Sequence, residues 1–226
     1  MRFVFEGTPP DQKQLRVLQG LIVPAGPLID ERLIVDPKSK GIRNVIVRVH
    51  TGIRGSKLEP KPHEGTRKKI VLSNYRFEPH VLLAQVGDTL EVINQDPVFH
   101  KPAFNFFNNE PKVFDMPAGH KNAVALSRVE PGAVSIADNI FPWMKAYVVV
   151  SEHPYAAVSD KDGNIQIDGL PAGRDLVFRA IHESARFGNV IVAGRAEAWR
   201  GGRFKIHLEA GENDLGEVVI PKQAFN

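Results

Sequence analysis

The chain has 226 residues, 42% of them hydrophobic and 24% charged, which is enough for one large all-β domain or two small ones. It contains no cysteine, and this excludes disulfides, zinc–thiolate sites, iron–sulfur clusters and cysteine nucleophiles. The formal net charge is only +3, no basic stripe carries interleaved aromatic residues, and no apolar run reaches the length of about 18 residues that a membrane span needs. We therefore expect neither nucleic-acid binding nor a membrane span.

Short strands dominate the predicted elements, because glycine (19 residues) and proline (17 residues) recur between apolar runs. Polar and apolar residues alternate in several runs, such as residues 89–94, which favours sheets with one buried face. Residues 11–18 have the composition for one or two turns of helix, residues 183–199 fit neither pattern, and residues 160–164 predict a tight hairpin turn. In chain order, the predicted strands are residues 2–5, 44–50, 69–72, 81–85, 89–94, 124–126, 133–137, 146–150, 165–167, 176–181, 204–208 and 215–220.

Two stretches carry the pattern of a known family. Residues 75–96 read YRFEPHVLLAQVGDTLEVINQD and are followed by His100. This order resembles the first half of a cupredoxin, in which a strand after F-x-P leads to G-D-T-V, then to a strand that ends in N-x-D, then to the first histidine ligand of copper. Residues 138–147 (DNIFPWMKAY) and 153–163 (HPYAAVSDKDG) resemble C-x-I-H-P-W-M-x-A-Y and H-P-Y-A-A-V-T-D-x-D-G of cupredoxin-like proteins of the methylamine-utilisation and planctomycete type. The resemblance covers residues 75–173.

The resemblance implies an all-β, cupredoxin-like Greek-key β-sandwich over residues 1–152, with an N-terminal strand extension. It places the former copper-ligand positions at His100, Asp138, Phe141 and Met144. Blue copper needs a cysteine thiolate and two imidazoles in a plane, with methionine as a weak axial ligand. Here Asp138 stands at the thiolate position and Phe141 at the second imidazole position. We therefore expect no type 1 copper, no electron transfer and no cofactor.

A different divalent metal at this end is the alternative. His100 and Asp138 would then be ligands, with His120 or His153 as a third. The competing interpretation is that His100 is an ordinary hydrogen-bonded residue and that Asp138 caps a turn. The residue types alone leave both open.

The last third of the chain carries a second resemblance. Residues 158–173 (VSDKDGNIQIDGLPAG) resemble the T-D-x-D-G-x-F-x-I-x-x-L-P-A-G signature of carboxypeptidase-regulatory-like, transthyretin-type modules. This implies a smaller transthyretin-like β-sandwich module over residues 153–226. Such modules usually act as scaffolds or as adhesion and carbohydrate-binding surfaces, so carbohydrate is a candidate ligand.

Aromatic residues are concentrated near the former copper end in the sequence. If they are exposed, they form a candidate docking surface for a partner; otherwise they fill the space that the metal has left. The residues are Phe99, Phe104, Phe106, Phe107, Phe114 and Trp143.

No motif of a serine hydrolase, zinc protease or phosphate-binding loop is present, so we expect no enzyme. The predicted function is that of a non-catalytic binding or structural protein, as a subunit of a larger assembly with a protein partner or with itself. The alternative is a divalent-metal-binding protein. Residues 1–7 predict a strand and a turn rather than a signal peptide, whereas the resemblance implies a periplasmic or secreted protein.

Overall fold

The computed structural model describes residues 1–15, 27–51 and 53–225, and within them the regular structure is β-strand apart from two short 3₁₀ turns at Arg200–Gly202 and Lys222–Ala224. No helix in these residues has the length and apolar character needed to cross a membrane. The fold is therefore all-β, as predicted. Its strands in the described residues are β1 (Arg2–Phe5), β2 (Ile46–Val49), β3 (Arg67–Ser73), β4 (Arg76–Glu78), β5 (Val81–Gln85), β6 (Thr89–Asn94), β7 (Pro102–Phe104), β8 (Lys112–Val113), β9 (Lys121–Ala125), β10 (Ala133–Asp138), β11 (Lys145–Ser151), β12 (Ala156–Val158), β13 (Arg174–Ile181), β14 (Asn189–Val192), β15 (Arg195–Ala198), β16 (Arg203–Leu208) and β17 (Glu217–Ile220).

The chain forms two compact units, and both are built from separated segments. The first unit comprises Met1–Lys13, Ile29–Glu59 and Tyr155–Asn226, and the second comprises Gln14–Leu28 and Pro60–Pro154. The junction after residue 154 lies close to the boundary predicted at residue 152, but the N-terminal segments belong with the C-terminal third rather than with residues 60–154.

Strand pairing explains this difference from the predicted domains. Strand β1 runs parallel to β17, with Arg2 opposite Glu217. Strand β2 lies between β12 and β13. Both N-terminal strands thus complete sheets whose other members come from the C-terminal third, which the local sequence pattern could not indicate.

The second unit is a β-sandwich of a five-stranded sheet, ordered β5-β11-β10-β7-β8, and a four-stranded sheet, ordered β4-β3-β6-β9. Alternate residues of β6 and β10 are buried, so each sheet turns one face to a common core. The largest completely buried side chains of this core include Ile70, Leu72, Phe77, Leu90, Phe104, Met116 and Ile136.

Strand ends in the second unit bring the predicted site residues to one end of the sandwich. Leu72 lies opposite Asn94 in the parallel β3–β6 pair, and Asp138 lies opposite Pro102 in the β10–β7 pair. The loop after β6, the start of β7, the end of β10 and the start of β11 therefore meet there. Because β11 runs from Lys145 to Ser151, its last residues and the β5–β6 turn lie at the opposite end.

The first unit has two four-stranded sheets, β1-β17-β14-β15 and β12-β2-β13-β16. Its core includes Trp199, whose ring stacks on Phe204 with centroids 3.9 Å apart. The predicted turn at residues 160–164 is present, and Gly163 has a φ of 82°. A Cβ at Gly163 would lie 2.1 Å from the Phe3 carbonyl oxygen, so this close approach of two backbone segments requires glycine.

Some predicted elements differ from the structure. Residues 165–167 do not form a strand, since only one bridge, between Arg2 and Asn164, ties this segment to β1. The ambiguous residues 183–199 contain the hairpin of β14 and β15. Residues 11–15 are not helical, and residues 16–18 of the predicted helix lie outside the described residues.

Candidate functional site

A completely buried histidine lies between two carboxylates at one end of the second unit. The Nδ1 atom of His100 is 3.2 Å from Oδ2 of Asp138, and its Nε2 atom is 3.0 Å from Oδ2 of Asp96. Both carboxylates are buried as well. The backbone of His100 is fixed by two hydrogen bonds of 3.0 Å with Met116, so the ring is held from the main chain and from both nitrogens. We call Asp96, His100 and Asp138 the buried triad.

Asp138 is positioned by the turn that ends β10. Its Oδ1 atom accepts hydrogen bonds from the backbone N–H groups of Ile140 at 2.8 Å and Phe141 at 2.9 Å. Its Oδ2 atom accepts from the N–H of Lys101 at 2.9 Å, in addition to the contact with His100. Asp138 therefore caps the turn after its own strand and also anchors the start of β7.

Asp96 is held in the same way on the other side of the ring. Its carboxylate accepts the backbone N–H groups of Asn74 at 2.7 Å and Tyr75 at 3.0 Å. Both residues have a positive φ, 53° and 57°, in the turn between β3 and β4. The side chain of Asn94 accepts the N–H of Asp96 at 2.9 Å, so the N-x-D pattern shapes the loop that delivers His100.

Charge in the buried triad follows from hydrogen-bond chemistry. Ionised carboxylates only accept hydrogen bonds, so contacts at both ring nitrogens are satisfied together when His100 is an imidazolium. Burial alone would raise the pKa of Asp138, but the hydrogen bond from His100 and the N–H groups of Phe141 and Ile140 outweigh burial and hold this pKa below its usual value. Burial and the charge of Asp96 raise the pKa of Tyr75.

Aromatic rings close the site on one side. The Phe141 ring is buried, with its centroid 5.0 Å from that of His100 and 5.1 Å from that of Tyr75. Met144 is 1% exposed, its N–H donates to the Phe141 carbonyl at 2.9 Å, and its own carbonyl accepts the N–H of Asp138 at 3.1 Å. The structure thus brings together all four residues that the sequence placed at the former ligand positions.

Asp96 and Tyr75 were not singled out as site residues. Asp96 lies in the N-x-D pattern, which indicated only that a strand ends there. Its second role, as a partner of the buried imidazole, depends on the closure of the loop and is not visible in the pattern.

The residues at this end do not fit type 1 copper. The sequence contains no cysteine to supply a thiolate, and the Nδ1 atom of His100 contacts a carboxylate that also caps a turn. The apolar ring of Phe141 lies beside His100, at the position that the resemblance gives to the second imidazole. Among the described residues, no group of three or more His, Asp or Glu side chains is arranged to hold a metal ion.

The two histidines suggested as a third metal ligand do not join the buried triad. The side chain of His120 is exposed. His153 follows the far end of β11, roughly 20 Å along the strand direction from the end where Met144 lies. The set of ligands predicted for a divalent metal is therefore not assembled in the described residues.

Two of the six residues predicted for the candidate docking surface are buried in the structure. Phe104 and Phe106 are 1% and 4% exposed, because β7 turns Phe104 into the core, where its ring lies 5.9 Å from that of Phe106 and 5.6 Å from that of Phe114. Phe99 and Phe107 are exposed, at 42% and 84%, but they precede and follow β7 and so lie towards opposite ends of the sandwich. Trp143 and Phe114 are half-buried.

Two further buried carboxylates hold loops at the opposite end of the second unit. Asp88 is completely buried and accepts hydrogen bonds from Gln85 N at 2.8 Å, from Thr66 N at 2.6 Å and from the Nε2 atom of His63 at 2.6 Å. Burial would raise the pKa of Asp88, but these hydrogen bonds lower it to about 2. Glu130 accepts N–H groups of the loop after β7 in a similar way, and its pKa is lowered despite burial. In the sequence, Val86-Gly87-Asp88 links the predicted strands 81–85 and 89–94 and predicts a turn, but it does not indicate this role of Asp88.

No protein-family model matches the sequence, and no curated protein matches it. Among solved structures, the chain is similar to a copper-containing nitrite reductase from Thermus scotoductus SA-01, with a TM-score of 0.34 and 22% identity over 45% of this chain. The match covers 25% of the nitrite reductase, so this chain spans about a quarter of its length. An amicyanin mutant in the Cu(I) form is matched with a TM-score of 0.32 and 19% identity over 36% of this chain and 79% of amicyanin. A second amicyanin mutant, in the oxidised state, gives a TM-score of 0.33 and 20% identity over the same shares of both chains. The all-β sandwich itself rests on the strand pairing described above.

Proposed function

We propose that the second unit is a cupredoxin-like β-sandwich that does not bind type 1 copper, in a chain that acts as a non-catalytic binding or structural protein. One observation carries the proposal. His100, which stands at the first ligand position in the resemblance to cupredoxins, is completely buried and has a carboxylate oxygen within 3.2 Å of each ring nitrogen.

Metal binding at His100 would have to displace the proton that one ring nitrogen shares with its carboxylate. An imidazole binds a metal through the lone pair of a deprotonated nitrogen, whereas both nitrogens here face acceptors and carry protons in the imidazolium form. The buried triad therefore opposes metal uptake at this position.

The buried triad also has a structural role that a metal would otherwise fill. Asp96 follows β6 of the four-stranded sheet, and Asp138 ends β10 of the five-stranded sheet. His100 joins the two carboxylates, so one imidazole connects the ends of both sheets. We propose that this connection replaces the bond network of a copper site and keeps the end of the sandwich closed.

The first unit is proposed to be a transthyretin-type, carboxypeptidase-regulatory-like module with a scaffold role. Two four-stranded sheets around one core support this, as does the turn at Gly163 inside the resembling segment. In this proposal the module includes Met1–Lys13 and Ile29–Glu59 besides the C-terminal third. A protein partner or a second copy of the chain, carbohydrate as an alternative ligand, and a periplasmic or secreted location all follow from the resemblance and are proposed on that ground.

Metal titration tests the proposal. Purified protein is titrated with Cu(II) and with Zn(II), and bound metal is measured after dialysis in the wild type, in His100→Ala and in the matched control His120→Ala, whose histidine is exposed. We expect the same metal content in all three proteins. One equivalent of metal in the wild type and in His120→Ala, absent from His100→Ala, would contradict the proposal and favour the alternative of a divalent-metal-binding protein. Asp138→Asn, which preserves side-chain volume, gives the same comparison if His100→Ala does not fold.

A further inference from the structure

The first unit carries a row of arginines on the face of the sheet β12-β2-β13-β16 that is turned away from the core of the unit. Arg48 of β2 lies directly opposite Arg179 of β13, and Arg179 lies directly opposite Arg203 of β16. Directly opposed residues point to the same face, and adjacent strands are about 4.8 Å apart, so the three side chains start within about 10 Å of one another. The core lies on the other face, where Phe178 and Ala180, the neighbours of Arg179, are buried. We call Arg48, Arg179 and Arg203 the arginine row.

Like charges directly opposite each other on a sheet destabilise it. Neither Arg179 nor Arg203 forms an ion pair with another described residue, and the Nε atom of Arg179 is buried without a hydrogen-bond partner. The acidic residue of β13 on this face, Asp175, is already paired with Lys205 and with His207. The positive charges of Arg179 and Arg203 are therefore not balanced by an acidic side chain among the described residues of their own sheet.

The neighbouring groups respond to this charge. Burial lowers the pKa of Arg48, and the charge of Arg179 lowers it further. His50 is the first residue after β2. Its pKa is lowered by burial and by the charges of Arg48, Arg179 and Arg203, whereas a hydrogen bond to the Ile53 carbonyl raises it. The charges of all three arginines thus lower the pKa of one residue, His50.

We infer that the arginine row binds an oxyanion of the phosphate class, held between the half-buried Arg179 and Arg203. A guanidinium group presents a planar fork of N–H donors that matches two oxygens of phosphate or sulfate. One dianion between two arginines balances both of their charges. The site belongs to the first unit and is independent of the buried triad of the second.

Thermal unfolding of the full chain tests the inference. Sodium phosphate is titrated against sodium chloride of equal ionic strength, and the unfolding midpoint is followed by scanning calorimetry. At ten times its dissociation constant, phosphate should raise the midpoint of the first unit by about 5 °C, whereas chloride should not. A phosphate effect no larger than that of chloride overturns the inference.

Variants locate the effect. Arg179→Gln and Arg203→Gln should each abolish the phosphate shift and raise the midpoint in phosphate-free buffer, because they remove like-charge repulsion. The control is Arg195→Gln, in the exposed strand β15 of the other sheet, which should keep the full shift. A phosphate shift that persists in both row variants overturns the site.

A third arm identifies the source of the phosphate group. Glycerol 3-phosphate replaces inorganic phosphate in the same titration of the wild type. An equal shift means that the row accepts a phosphate group attached to a larger molecule, whereas a shift with inorganic phosphate alone means that it binds the free ion. No shift with either compound overturns the inference.

Discussion

Replacement of His100 by alanine should destabilise the second unit far more than an ordinary surface substitution does. The side chain makes two hydrogen bonds to buried carboxylates, at 3.0 and 3.2 Å, and its removal leaves both carboxylates without their cationic partner. Hydrogen bonds to charged groups contribute about 1.5–3 kcal/mol each, and breaking a buried ion pair costs about 3–5 kcal/mol. We therefore expect His100→Ala to lower the free energy of unfolding of the second unit by about 3–5 kcal/mol.

Hydrogen exchange followed by mass spectrometry measures this loss for each unit separately. Peptides that cover β6 and β10 report on the second unit, and peptides that cover β13 report on the first. The variant should lose protection by on the order of 10³-fold in β6 and β10. His120→Ala, in which an exposed histidine is removed, should change protection by less than about threefold.

His100→Phe separates charge from packing. It keeps an aromatic ring beside Phe141 and Tyr75, whose centroids lie 5.0 and 6.0 Å from the His100 ring, but it loses both contacts with the carboxylates. If the buried triad stabilises the unit through charge and hydrogen bonding, His100→Phe should be destabilised as much as His100→Ala or more. A loss below about 1 kcal/mol in both variants would refute the reasoning, since the triad would then contribute nothing beyond the filling of space.

Other predictions concern the buried carboxylate of Asp88 and the close backbone approach at Gly163. Because the pKa of Asp88 is lowered to about 2 in the folded protein, its stabilisation of the second unit is present above about pH 4 and is lost as the pH falls towards 2. Asp88→Asn should therefore lose on the order of 2 kcal/mol of unfolding free energy in urea at pH 7, and the difference from wild type should vanish by pH 2. The exposed control Asp115→Asn should lose less than about 0.5 kcal/mol. An equal loss for Asp88→Asn at pH 7 and at pH 2 would contradict the assignment. Gly163→Ala should destabilise the first unit by at least about 2 kcal/mol, because its Cβ would lie 2.1 Å from a backbone oxygen of β1 at a positive φ. The control Gly169→Ala has a similar φ of 68° with no atom within 4 Å of the added Cβ, so its loss should be about 1 kcal/mol, and equal losses in the two variants would show that the close approach is unimportant.

Strands with regular alternation and clear turns were predictable from the sequence. Residues 81–85 and 89–94 were predicted with the bounds that β5 and β6 have, because the apolar pattern and the intervening Val-Gly-Asp turn agree. Strand β7, of three residues beginning with Pro102, was missed, since neither length nor pattern separates it from a loop. Residues 165–167 alternate like a strand but have no continuous partner strand, so the local pattern alone was misleading.

Pairing between strands that are distant in the sequence limited how much of the domain organisation could be predicted. The parallel pairing of β1 with β17 joins residues more than 200 positions apart in the sequence, and nothing in either strand indicates the other. The division at residue 152 stays a prediction, and the sequence could not indicate that the N-terminal strands pair with strands of the C-terminal third.

The site shows the same division between local and long-range information. The resemblance to cupredoxins predicted that His100, Asp138, Phe141 and Met144 lie together, and in the structure they lie at one end of the second unit. The resemblance to cupredoxins implied which copper ligands are missing, but it did not indicate which contacts His100 makes instead. Asp96 completes the buried triad only through the folded loop between β6 and β7, so its role required the structure.

The central proposal is that the second unit is cupredoxin-like and that the buried triad lies where the resemblance to cupredoxins places the copper. Its most direct test is copper binding by the double variant Asp138→Cys/Phe141→His, which restores the two missing ligand types beside His100 and Met144. We expect this variant to bind one equivalent of Cu(II) with the intense visible absorption of a copper–thiolate bond, and to lose that absorption when His100→Ala is added. A double variant that folds like the wild type but shows no such absorption with Cu(II) would contradict the claim.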